Sequence, residues 1–120
     1  MRVLALLSAA ALLSAAALAP ARAESLRIES RDAFVSLVKE RSLTRFGVSL
    51  NVLPDGRITG RAFGQPVQGA WSWKSGFFCR TLQFGTQDLG DNCQVVEKRG
   101  EALRFTADQG KGDYADLRLR

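Results

Sequence analysis

The residues able to do chemistry in this chain are few, and the first observation is an absence. With no histidine among its 120 residues, the chain lacks Ser-His-Asp and Cys-His nucleophilic machinery, histidine-ligated zinc and the usual neutral-pH proton shuttle. Carboxylates, Lys, Arg, Tyr114 and two cysteines remain. Asp88 and Asp91, in the stretch GTQDLGDN, are a carboxylate pair of the kind that could flank a glycosidic bond, on what reads as the longest loop. The same stretch also has the composition of an ordinary solvated turn and lacks the ligand alternation of a calcium loop. Gly110 to Ala115, GKGDYA, matches the dinucleotide fingerprint G-x-G-x-x-A in letters only. A phosphate-cradling glycine loop must open a helix, whereas the following YADLRLR alternates like a strand. No catalytic, cofactor-binding or metal-ligating residue is therefore expected, and the reading is non-enzymatic.

Gly64 to Cys93 holds both tryptophans and both cysteines. An even cysteine count in an exported chain predicts a Cys79–Cys93 disulfide. It closes a loop of about 15 residues, worth roughly 3 kcal/mol in the chain-entropy model. Arg80 shares a strand face with Phe78, Leu82 and Phe84 by alternation, so its guanidinium can stack on an aromatic ring or meet a carboxylate. Trp73, Phe77, Phe78 and Arg80 are the candidate recognition surface, because exposed aromatics with an Arg carry interface energy.

The elements that must position these residues begin after a leader. Arg2 is followed by an uncharged Leu/Ala/Val/Ser run to Ala19 and by Ala21-Arg22-Ala23, the layout of a secretory signal peptide cleaved after Ala23. Residues 1–23 are thus expected to be removed, leaving residues 24–120 as a single small β domain in the periplasm or secreted, with no stable membrane anchor. The remaining 15 basic and 12 acidic residues give +3. That modest excess on an exported protein points away from nucleic acid and towards an envelope protein or polymer as partner. A monomer is expected.

SRDAFVSLVKER predicts one short helix: Ser30 caps it, Asp32 lies in its first turn, Lys39 and Arg41 in its last, and Phe34, Leu37, Val38 and Arg41 form one stripe. Period-two alternation then takes over. RFGVSLNV, with Phe46, Val48, Leu50 and Val52 inward, RITGRAF, VQGAWSW, FFCRTLQF, CQVVEK, ALRFTA and YADLRLR read as strands with connections too short for parallel crossovers. The fold class is mainly β, a small antiparallel meander or half-barrel of about seven strands with one N-terminal helix at its end. Gly60 and Gly69 read as bulges or sites where a bulky neighbour such as Trp71 lies across the backbone. A side-chain-filled interior is expected.

The run from Asp32 to Arg120, with LPDGRITGRAFG, GAWSWKSGFFCR, NCQVVE and LRFTADQGKGDYADLRLR, resembles a set of small exported alphaproteobacterial proteins that often carry the label dihydrodipicolinate reductase. The label implies a nicotinamide-dependent oxidoreductase. Such an enzyme has an N-terminal Rossmann domain and a second domain with catalytic histidine and lysine, and none of its motifs maps to a position here. The expected function is a binding or inhibitor-like module acting on an envelope protein or polymer. The alternative is a lipocalin-like carrier of a small apolar ligand, whose cavity would be lined by Trp71, Trp73 and Phe105.

Overall fold

Alternating apolar and polar residues bury one face of every strand, and a strand series of this kind removes its free edges by curling until the first strand meets the last. In the computed structural model, which describes residues 10–12, 14, 15 and 24–120, this closure is complete. The expected signal peptide, residues 1–23, lies outside the described residues apart from those five. The elements are β1 (Ser25–Arg27), α1 (Arg31–Val38), β2 (Leu43–Arg45), β3 (Val48–Val52), β4 (Arg57–Ala62), β5 (Gln65–Lys74), β6 (Phe77–Phe84), β7 (Gln87–Arg99), β8 (Ala102–Thr106), α2 (Ala107–Gly110) and β9 (Tyr114–Leu119).

Strands β2 to β9 form a closed antiparallel meander of eight. The ring shuts where β2 meets β9, through Leu43↔Leu119 and Thr44↔Arg118. Reciprocal 2.9 Å backbone hydrogen bonds between Ser42 and Arg120 extend that seam. The long β7 serves three neighbours: its first half pairs β6, and its second half pairs β8 on one edge and β1 on the other.

The helix α1 lies across one end. Ser30 caps it, its Oγ accepting the Ala33 N–H at 3.1 Å, and Phe34 and Val38 are fully buried. The Phe34 ring is the hub of an aromatic cluster, with centroids 5.3 Å from Trp71, 5.2 Å from Trp73 and 5.1 Å from Phe78. Polar tips are satisfied at the rim: Trp71 Nε1 donates to the Leu53 carbonyl at 2.8 Å and Trp73 Nε1 to that of Glu29 at 3.1 Å. Arg31 donates to the Pro54 carbonyl at 2.6 Å, lashing the helix to the β3–β4 turn.

The outer wall is polar, carrying Ser49, Arg61, Gln68, Ser72, Thr81 and Arg118 in exposed positions. Apolar inside and polar outside is the reverse of a barrel that faces lipid. Among the described residues no helix is long and apolar enough to cross a membrane. A disulfide joins Cys79 to Cys93, directly opposite one another on β6 and β7.

Several expectations change. Among the described residues the strands number nine, eight of them in the ring. The predicted strand RFGVSLNV is a hairpin, because Gly47 takes φ +74° and turns the chain, so Phe46 sits at its tip, 95% exposed, instead of inward. GTQDLGDN is a loop only at Gly85–Thr86; the rest is the start of β7, its Asp and Gly residues held in the sheet by pairing to β6 across a register shift at Thr81/Gln83. The helix stops at Val38, so Lys39 is its C-cap and Arg41 lies beyond it. Gly60 and Gly69 answer to neighbouring backbone and not to Trp71: a Cβ at Gly60 would collide with the Ser49 carbonyl, and one at Gly69 with that of Thr81. These two inward positions let β3 to β6 coil tightly.

Candidate functional site

The interior is filled over only part of its height. Because α1 and the large rings collect at one end, the inward positions towards the other are left mainly to aliphatic side chains, and a cavity of ≈ 440 Å³ opens there. That volume falls in the range of small-molecule sites, about 300–1,000 Å³. The expected filled interior therefore holds at the helix end alone. Val48, Leu50, Leu82 and Leu117 supply much of the wall, and Phe78 and Phe105 form the floor against the aromatic cluster.

Polar side chains on this wall are few. Arg80 on β6 points inward between Phe78 and Leu82, and Gln94 on β7, opposite Phe78, adds an amide. Arg45 and Asp113 stand at the mouth. The register shift bulges β7 at Gly90, whose φ is +72°, and turns its carbonyl to accept a hydrogen bond from Arg80 Nη1 at 3.0 Å. That is the single side-chain hydrogen bond of Arg80 among the described residues, and none of the ion pairs there includes it. Burial pulls the Arg80 pKa below its ordinary value, with Asp91 opposing the shift. It remains a cation.

The four residues of the expected recognition surface are divided by the wall. Phe78 is buried and Arg80 faces the lumen; Trp73 stacks on Phe34 at the helix end. Phe77 lies beneath the Arg27 guanidinium, 5.2 Å from its ring centre. Of the three aromatics expected to line a carrier's cavity, Phe105 does; Trp71 and Trp73 belong to the plug.

Sequence reasoning missed the mouth. Three Phe-Gly pairs, Phe46-Gly47, Phe63-Gly64 and Phe84-Gly85, fall at the three successive hairpins of the open end, β2–β3, β4–β5 and β6–β7. Phe46 and Phe63 are exposed there, together with Leu89. The Phe63 ring lies against Gly47, where a Cβ would collide with it. The recurrence of Phe-Gly at alternate turns was the available signal.

Behind the open end, the β8–β9 connection is pinned to β7 by a two-way contact. Asn92 Nδ2 donates to Asp108 Oδ1 at 2.8 Å, and the Asp108 N–H donates to Asn92 Oδ1 at 3.0 Å. Asp108 and Gln109 take left-handed conformations to make this possible. Residues 107–113 are therefore a turn against the free edge of β7 and not the start of a phosphate-binding helix. Asp88 and Asp91 border an open polar depression on the outer wall, with Gln68, Thr81 and Gln83, away from the lumen. Comparison with protein-family models, with curated proteins and with solved structures finds no match to this chain.

Proposed function

We propose that this protein is an exported, non-enzymatic binding protein that holds one small, mainly apolar molecule in the barrel lumen. The observation that carries this reading is the ≈ 440 Å³ apolar cavity at the end of the barrel opposite α1. A site of this kind, apolar with a few placed polar groups, is the default location for a ligand. The disulfide and the expected signal peptide support an oxidising compartment, the periplasm or the exterior; the polar outer wall supports a monomer.

A neutral, environment-sensitive dye such as N-phenyl-1-naphthylamine should bind saturably, one per chain, with enhanced fluorescence. Leu82→Trp, which grows into the cavity, should abolish that signal while the urea midpoint holds. Absence of saturable dye binding by the wild-type protein would overturn the reading.

Phe46 and Phe63, exposed on adjacent hairpins beside Arg45 and Arg61, favour a second reading: a module whose open end grips an envelope protein or polymer. Under it, the lumen leaves the dye unbound.

A further inference from the structure

The lumen keeps a cation where an apolar carrier has no use for one. Arg80 enters the wall from the middle of β6, with Phe78 before it and Leu82 after it on the same inward face. A guanidinium presents five N–H donors in a planar fork, and the protein occupies one of them, Nη1, with the Gly90 carbonyl. Asp91, whose charge opposes the effect of burial on Arg80, sits on the outer side of β7 by the open polar depression and forms no ion pair with it. A partly desolvated charge with unused donors is costly to keep. By contrast, two outward cations of this barrel hold carboxylates: Arg104 makes two hydrogen bonds to Asp116, at 2.8 and 3.0 Å, and Arg57 pairs with Asp55 at 2.7 Å.

The surroundings of Arg80 define what would complete it. Below it lie Phe78 and Phe105, and around it Leu50, Leu82 and Leu117, so an occupant must be apolar over most of its length. Arg80 lines this same space, and a guanidinium fork with donors to spare suits a planar two-oxygen anion, which can accept two parallel N–H bonds. Arg45 at the mouth adds a second positive charge along the way in. Asp113 is the acidic group on this wall, and it stands at the mouth with the first residues of β9.

We propose that the lumen selects an anionic amphiphile, a carboxylate with a single apolar chain or ring body, and that Arg80 binds its headgroup. This rests on the carrier reading above and names its ligand class. The headgroup reaches the Arg80 fork with Gln94 nearby as an amide donor, and the apolar body fills the remaining lumen against Phe78 and Phe105. Arg80 is then a specificity-determining residue. Its burial disfavours the empty site, and the bound carboxylate offsets that cost.

The test is calorimetric titration of the protein, produced from the full chain and freed of co-purifying lipid, with decanoate and decylamine below their micelle concentrations and decanol below its solubility limit. Decanoate should bind at least about tenfold more tightly than decanol, the difference a charged hydrogen-bonded headgroup contributes, and decylamine more weakly still. Arg80→Met, which keeps the apolar stem and removes the guanidinium, should erase the preference for decanoate while leaving decanol binding in place. Arg80→Lys should restore part of it, as a point charge without the fork. Should Arg80→Met fail to fold, the wild-type ranking of the three ligands decides alone. Equal binding of decanoate and decanol, or a preference for decylamine, overturns the proposal and leaves the carrier reading intact if the neutral dye still binds. No binding of any of the three, with no dye binding, overturns both.

Discussion

The two ends of this barrel are built from one strand pattern and reach opposite outcomes. At the helix end every inward position meets another ring or a buried aliphatic residue: Phe34 and Val38 come down from α1 onto Trp71, Trp73 and Phe78, and Val96 and Leu103 are fully buried. At the other end the inward positions carry Val48, Leu50, Leu82 and Ala115, no helix descends, and the hairpin tips turn two phenylalanines out towards solvent. An eight-stranded ring is wide enough either to be filled by its own side chains or to hold one small molecule, and this one does each at a different height. Rigidity is concentrated where rings interlock, which leaves the open half free to keep an empty space and a cation.

The sharpest way to break that contrast is at the hub. Phe34→Ala should cost about 3–5 kcal/mol, measured as a fall in the urea midpoint, because the cavity it leaves is walled by rings that cannot close over it. A domain of this size has little more than that to lose. Adding bulk instead of removing it separates the two ends directly. Val96→Phe, at a fully buried position, should destabilise by about 1–3 kcal/mol through overpacking. Leu82→Trp, which has the lumen to grow into, should change stability by less than about 1 kcal/mol while it excludes ligand. Equal costs at both positions would mean that the open half is as tightly packed as the plugged one.

The smallest effect lies on the outer wall. Arg104 hydrogen-bonds Asp116 and holds its carboxyl below the usual carboxylate range. A depressed folded-state pKa contributes stability that is present above the unfolded carboxylate value and is lost as pH falls through the folded one. Asp116 is substantially exposed, so solvent screening keeps the contribution slight. Asp116→Asn should therefore lower the melting temperature a little near pH 7 and not at all near about pH 2.

Much of the plugged end was legible in the sequence. Ser30, Phe34 and Val38 declare a capped amphipathic helix, and Cys79 and Cys93, in a chain whose sequence predicts export, declare a staple. The open end was less legible for physical reasons. Alternation says that Phe78, Arg80 and Leu82 share a face but not which face is inward, so an Arg between two apolar residues reads equally as a surface patch or a lumen cation. The split of RFGVSLNV depends on a left-handed Gly47, which local composition only permits. Whether the centre is full depends on how high each inward side chain sits in the ring, a property of register and tilt. The start of β7 was read as a loop because Asp and Gly are poor strand formers, and pairing with β6 overrides that preference.

The seam between β2 and β9 has a kinetic consequence. Every other junction in the ring joins strands that are neighbours in sequence, so hairpins can zip in order from β2 towards β9 by closing short loops. Leu43 meets Leu119 only after nearly the whole domain lies between them, and the chain entropy of that closure is paid at one step. The ring should thus shut last in folding, with β2 and β9 exposing unpaired edges until it does. For a chain threaded across a membrane with its N-terminus leading, β2 would emerge first of the ring strands and wait longest for its partner, and that interval is when aggregation or chaperone capture would act.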